Sequence, residues 1–166
     1  MGFLSEVNVV DPRGTLNFFL DYLQKETRDR RYKDDEMAYV AKVLAHYACV
    51  SRCNTSTIPV MSCLGEVFEH CVFQPMGWHD PEILEIGASQ ILLFAGFFRD
   101  QTQQRHNVVW YDGIGQSFYD RVSHYSYERK KKDFFGRMSR SFPAWTIVCR
   151  DVSRRLRDDR YLLRVQ

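Results

Sequence analysis

Long hydrophobic runs are absent from this sequence. The longest uninterrupted apolar stretch, Ile91 to Phe98, is well short of the ~18 residues that a membrane-spanning helix requires. The first six residues, MGFLSE, contain no basic residue ahead of an apolar segment, so they do not resemble a secretory signal. We therefore expect a cytoplasmic protein that does not enter a membrane.

Recognisable catalytic motifs are also missing. The chain has no GxSxG nucleophile elbow, no cysteine beside a histidine at a helix start and no distinctive pair of carboxylates. The glycines of Gly113–Ser117 superficially resemble a phosphate-binding loop, but such loops follow a strand. Here a helical period runs through them, which favours close helix packing. Enzymatic activity is thus unsupported, and we expect no cofactor.

Cysteine is present in an odd number, five residues in all. With no sign of export, we expect these thiols to be reduced. Histidine and cysteine recur at helical spacing in two predicted helices and could hold zinc, but no pair of CxxC motifs is present, and free cysteine commonly behaves as a small buried apolar residue. We therefore predict no metal site. The residues concerned are His46, Cys49, Cys53, Cys63, His70 and Cys71.

Alternation of apolar and polar residues is scarce, so no sheet is predicted. Apolar residues instead recur at the three- and four-residue spacing of amphipathic helices, and Asp11-Pro12 and Asp80-Pro81 are helix-start signals. The sequence predicts an all-α protein, a single compact bundle of six or seven helices spanning 1–166 as one domain. The predicted helices start near residues 12, 34, 59, 81, 108, 130 and 144, and Phe142-Pro143 separates the last two.

Aromatic residues make up 14% of the chain, and they are concentrated between Ile91 and Tyr125. Polar side chains accompany them in the fourth and fifth predicted helices, and Ser89 and Asp120 are among these side chains. Because buried polar groups need partners, these side chains either form a small ligand-binding pocket or face solvent. The candidate ligand-binding residues are Gln90, Tyr111, Asp112, Gln116 and Tyr119.

Charge is distributed unevenly along the chain. Residues 1–120 contain 10 Lys and Arg against 16 Asp and Glu, whereas residues 121–166 contain 13 against 5. Arg150, Arg154 and Arg157 recur at one-face helical spacing, which would suit nucleic acid. However, acidic residues lie among them, and the pI of about 8.3 is below that of a dedicated nucleic-acid-binding domain. Nucleic-acid binding therefore remains an alternative.

Three segments carry a resemblance to other proteins: LLFAGFFR at 92–99, VVWYDGIGQSFYDRVS at 108–123 and FFGRMSRSFPAWTIVCRDVS at 134–153. They resemble a group of uncharacterised bacterial helical proteins with an L-F-x-x-G-F-F segment and a Tyr-rich helix containing G-x-x-x-Y. Trp110 stands where that group has Tyr, and Arg99 where it has Pro. The resemblance implies a bacterial, cytosolic, all-helical protein and implies no activity.

These observations favour a non-enzymatic protein-interaction or regulatory module, with a protein partner or a second copy of the chain bound through aromatic surface. The two alternatives are nucleic-acid binding through the basic C-terminal region and small-molecule binding in the helical bundle.

Overall fold

A computed structural model describes residues 12–29, 31–53 and 79–159 of the chain, without the side chains of 50–53. Helices account for 86% of these residues, and no strand occurs among them. The protein is therefore all-α, as predicted. Its described helices are α1 (Pro12–Glu26), α2 (Asp34–Cys53), α3 (Pro81–Leu92, continued as a π-helix over Leu93–Phe97), α4 (Arg99–Thr102), α5 (Val108–Tyr125) and α6 (Arg129–Asp158).

The chain divides into two compact units, 1–58 with 148–166, and 59–147. In the first unit, α1 packs on α2. Phe19 and Leu23 of α1 are buried, as are Val40, Ala41 and Leu44 of α2. Four of these side chains, Leu23, Val40, Ala41 and Leu44, are fully inaccessible, so apolar burial accounts for this pairing.

The final turn of α6 belongs to the same unit, and a hydrogen bond and an ion pair link this end of the helix to α1. The Tyr22 hydroxyl donates a hydrogen bond to Asp159 Oδ2 at 2.8 Å, and Arg155 pairs with Glu26. Burial, together with this hydrogen bond, raises the pKa of Tyr22 to about 12.

In the second unit, α3 and α5 form an antiparallel pair. Three contacts show the direction: the ring centroids of Phe94 and Tyr111 lie 4.9 Å apart, Ser89 Oγ lies 3.4 Å from the Tyr119 hydroxyl, and the rings of His79 and Tyr125 are 4.9 Å apart. Caps fix both starts. Asp80 Oδ1 accepts from the Glu82 N–H at 2.9 Å, and Asn107 caps α5 by accepting from the Trp110 N–H.

Two boundaries predicted from the sequence were wrong. The sequence predicts no helix start between residues 81 and 108, yet Arg99–Thr102 forms a short helix, α4. The two helices expected on either side of Phe142-Pro143 are one continuous helix, α6, with Pro143 inside it.

Pro143 is tolerated because the helix buries a continuous apolar stripe. A proline in a helix interior removes one backbone hydrogen bond and costs about 3 kcal/mol. Each fully buried large apolar side chain contributes about 1.5–3 kcal/mol, and Pro143 itself lies on the exposed side. The buried stripe consists of Phe135, Met138, Phe142, Trp145, Cys149, Val152 and Leu156.

The predicted first, second, fourth and fifth helices are confirmed in type and position. The third predicted helix, about 59–73, lies outside the described residues, and so do Cys63, His70 and Cys71 of the zinc alternative. No group of three or more potential metal ligands forms within the described ranges. Burial raises the pKa of the Cys149 thiol to about 12, so this cysteine stays protonated.

Candidate functional site

The π-helix at Leu93–Phe97 is the local feature from which the candidate site is built. The Phe98 N–H donates to Leu93 O at 2.9 Å, five residues back rather than four, so nearby carbonyl groups lose their α-helical donors. Side chains supply replacements: Thr102 Oγ1 donates to Phe94 O at 3.1 Å, and Arg99 Nη1 donates to Ala95 O at 3.0 Å. Such π-bulges are frequent at functional sites.

Arg99 then links this bulge to α5 and α6. Its Nη1 lies 3.2 Å from Asp112 Oδ2 and 3.4 Å from Asp112 Oδ1 on α5, and it donates to Thr146 Oγ1 at 3.4 Å on α6. The side chains of Arg99 and Asp112 are only 11% and 12% exposed. The pair therefore has little exchange with water, and each charge depends on the other.

The electrostatics of Asp112 reflect this burial. Removal from water raises the pKa of the Asp112 carboxyl above its usual value, and Arg99 and Thr146 oppose that rise only in part. Thr146 is fully buried, and its hydroxyl lies 2.8 Å from Pro143 O. The cluster is thus a buried polar junction that fixes the positions of the π-helix, α5 and α6 around it.

A cluster of aromatic rings links the π-helix to the start of α5. The ring of Phe94 makes edge contacts with His106 at 5.4 Å and with Tyr111 at 4.9 Å between centroids. Trp110 packs edge-on against Tyr111 at 5.0 Å, yet 56% of Trp110 remains exposed. Within the first turns of α5, Asp112 therefore belongs to a buried ion pair, whereas Trp110 exposes its indole ring to solvent.

The five predicted ligand-binding residues occupy different surroundings. Asp112 belongs to the Arg99 junction and Tyr111 to the aromatic cluster. Tyr119 is fully buried and stacks on Phe135 with centroids 5.6 Å apart. The backbone carbonyl of Gln116 accepts a hydrogen bond from Ser139 Oγ at 2.9 Å.

Gln90 is the exception, because its Oε1 atom is buried without a hydrogen-bond partner in the described ranges. An unsatisfied amide oxygen is costly. Ligand binding by these five residues stays a prediction.

The two central glycines of α5 differ sharply in their surroundings. A Cβ atom added to Gly115 would lie 2.2 Å from Phe142 Cζ, so this glycine admits an aromatic ring of α6. A Cβ at Gly113 would meet no heavy atom within 4 Å among the described residues. The predicted role in close packing is therefore confirmed for Gly115, whereas Gly113 makes no such contact with the described residues. The helix continues through both positions.

The predicted basic stripe lies on the last part of α6. Arg154 and Arg157 are exposed and Arg150 is half-buried. Arg150 Nη2 pairs with Asp151 Oδ1 at 2.7 Å, and Arg157 Nε donates to Ser153 O at 3.4 Å. Part of this charge is therefore already neutralised by neighbouring acid, which reduces what is left for phosphate.

Sequence reasoning missed Arg99 and Thr146. Arg99 is not among the predicted binding residues, although its position directly after eight apolar residues, Ile91 to Phe98, indicates that its charge would be partly buried. Thr146 carries no such signal, because its role depends on which face of α6 meets the π-helix.

Comparisons of this chain with protein-family models, curated proteins and solved structures gave no match. Within the described ranges, none of the helices combines the length and the apolar character needed to traverse a lipid bilayer.

Proposed function

We propose that this protein is a non-enzymatic protein-interaction module of the bacterial cytoplasm, and that its contact surface is the outer face of α5. This outer face consists of Val109, Trp110, Gly113 and Ser117, all of which are exposed. The single observation that carries the proposal is the exposed pair at its start, where Val109 is 69% and Trp110 is 56% exposed. Tryptophan is strongly enriched among residues that dominate binding energy.

Gly113 supports this assignment. Glycine in a helix interior costs about 1 kcal/mol relative to alanine, and no neighbouring atom within the described residues requires its small size. A partner helix that crosses the outer face at Gly113 would require it, since only glycine lets a second backbone approach so closely.

A second copy of the chain is the simplest partner. Trp110 projects at one point of the outer face, and Gly113 leaves a gap one turn further on. In a two-fold symmetric contact, each indole would cover the glycine of the other copy, which is the self-complementary arrangement that such dimers use. The same face would also accept an amphipathic helix from another protein.

Light scattering across a concentration series tests self-association, and affinity capture with the wild-type chain tests a different protein partner. Trp110→Ala should weaken association by about 30-fold or more, the effect of losing a residue worth ~2 kcal/mol at an interface. Gly113→Leu should abolish it, although an added Cβ meets no heavy atom within 4 Å among the described residues and leucine favours the helix. A matched control is Tyr127→Ala, which removes a fully exposed aromatic ring that lies beyond α5.

A strict monomer that also captures no protein would refute the proposal. Association that survives both Trp110→Ala and Gly113→Leu would place the interface elsewhere on the molecule.

Nucleic-acid binding through Arg150, Arg154 and Arg157 is the second candidate, favoured by the exposure of Arg154 and Arg157 on one face of α6. It predicts a mobility shift that weakens steeply with added salt, because phosphate contacts release counterions. No shift at ~50 mM salt would dismiss it.

A further inference from the structure

A solvent-open groove lies between the end of α5 and the first half of α6, away from the outer face of α5. Its volume is about 440 Å³, and its lining residues are Ser123, Lys132, Asp133, Gly136, Arg137 and Arg140. This volume falls within the ~300–1,000 Å³ typical of small-molecule sites. All six residues belong to one compact unit, so the groove does not depend on how the two units are arranged.

Gly136 keeps the floor of the groove open. A Cβ at this position would lie 3.3 Å from Ser123 Oγ and 3.8 Å from Arg140 Nη1, and it would narrow the space between them. Ser123 is held in place, because its hydroxyl donates to Lys132 O at 2.7 Å. The end of α5 is therefore tied to the first turn of α6 around a gap that a larger residue would fill.

The charge of the groove is positive. Three of its side chains are cationic and one, Asp133, is a carboxylate. Lys132 and Arg140 are exposed and form no ion pair with any other described residue, while the Arg137 guanidinium lies 5.7 Å from the centre of the Phe134 ring. Concave surfaces lined by one sign of charge concentrate oppositely charged ligands.

The residue types indicate which anion would bind. The planar fork of arginine matches two oxygens of a phosphate group, and lysine supplies a further point charge. The three positive charges of two arginines and one lysine exceed the single negative charge of a carboxylate, and they suit the charge of two linked phosphates. Asp133 adds an acceptor that would repel a third phosphate but would accept a hydrogen bond from a hydroxyl or amino group.

We propose that this groove binds a small molecule carrying a diphosphate group, held by Lys132, Arg137 and Arg140, with Asp133 accepting a hydrogen bond from the rest of the ligand. The site is separate from the outer face of α5, so it stands whether or not that face binds a protein.

Isothermal titration calorimetry of the full chain at ~50 mM salt tests the proposal, with inorganic pyrophosphate and ADP as probes. Arg140→Gln should weaken binding of both by about 10-fold or more, the effect of losing one charge-assisted contact. Gly136→Ala should also weaken binding, because the added methyl group narrows the groove. The matched control is Lys130→Gln, which removes one exposed positive charge from the same first turn of α6 but outside the groove, and should change the affinity by less than about two-fold.

Three results would overturn the proposal. The first is the absence of heat of binding for pyrophosphate and ADP at millimolar concentration. The second is an equal loss in Lys130→Gln and Arg140→Gln, which would show a diffuse effect of charge instead of a site. The third is binding of a single-stranded oligonucleotide in the absence of any binding of the two probes, which would assign the cations to nucleic acid. Circular dichroism of each variant confirms that the exposed substitutions leave the fold intact.

Discussion

Two glycines in α5 should respond in opposite ways to the same substitution. At Gly115, an added Cβ would lie 2.2, 2.6 and 2.8 Å from three atoms of the Phe142 ring. Phe142 is fully buried, and its ring lies 5.7 Å from that of Tyr119, so it has little room to withdraw. At Gly113, the same Cβ would meet nothing within 4 Å among the described residues.

The magnitudes follow from two effects. Overpacking of a core costs about 1–3 kcal/mol, whereas replacing glycine by alanine in a helix gains up to ~1 kcal/mol. Gly115→Ala should therefore destabilise the protein by about 1–2 kcal/mol, and Gly113→Ala should stabilise it by up to ~1 kcal/mol. For a chain of this size each kcal/mol corresponds to about 2–4 °C in Tm.

Urea denaturation followed by circular dichroism measures both variants, and each serves as the control for the other because both lie in the same helix. Gly115→Ala should cost less in a Phe142→Leu background, since leucine lacks the ring atoms that clash. A Gly115→Ala variant that loses no stability, or that loses as much with Phe142→Leu as with Phe142, would refute the packing described for α5 and α6.

Three further predictions concern charge. Arg99→Met should lower the free energy of unfolding by about 3 kcal/mol in urea denaturation, because it leaves the buried carboxylate of Asp112 without its cation. The double variant Arg99→Met/Asp112→Leu should recover most of that loss. No recovery would refute the mutual dependence of the two charges. Burial raises the pKa of Asp112 above its ordinary value, so the cost of burying its carboxylate is relieved as the pH falls. The stability of the wild type relative to Asp112→Asn should therefore rise as the pH is lowered from neutral towards that ordinary value, and a flat difference would contradict this. The contribution of Tyr22 should be complete below pH 10 and lost as the pH rises towards its folded pKa of about 12, a loss that Tyr22→Phe should not show.

Local chemistry made much of the fold predictable. Asp80 before Pro81 sets the start of α3 through a side-chain cap, and the apolar period of α5 shows that the helix continues through its glycines. These signals act over one or two helical turns, so they can be read from neighbouring residues alone.

The boundaries that failed depended on distant partners. Pro143 is a helix-ending signal by local rules, and only the apolar stripe buried on both sides of it outweighs that cost. From the sequence alone Arg99 is expected to be a surface residue, and only the tertiary structure places Asp112 and Thr146 beside it.

The sequence by itself determined that the chain is helical, where most described helices begin and where its basic residues cluster, because spacing and caps are local properties. Only the tertiary structure decided that Gly115 contacts a Phe142 ring while Gly113 has no such neighbour among the described residues, that Arg99 and Asp112 form a buried pair, and that Lys132 and Arg140 share a groove with Ser123. The physical reason is that close packing and ion pairing depend on which helix faces meet, and two residues of one type at neighbouring positions can face entirely different surroundings.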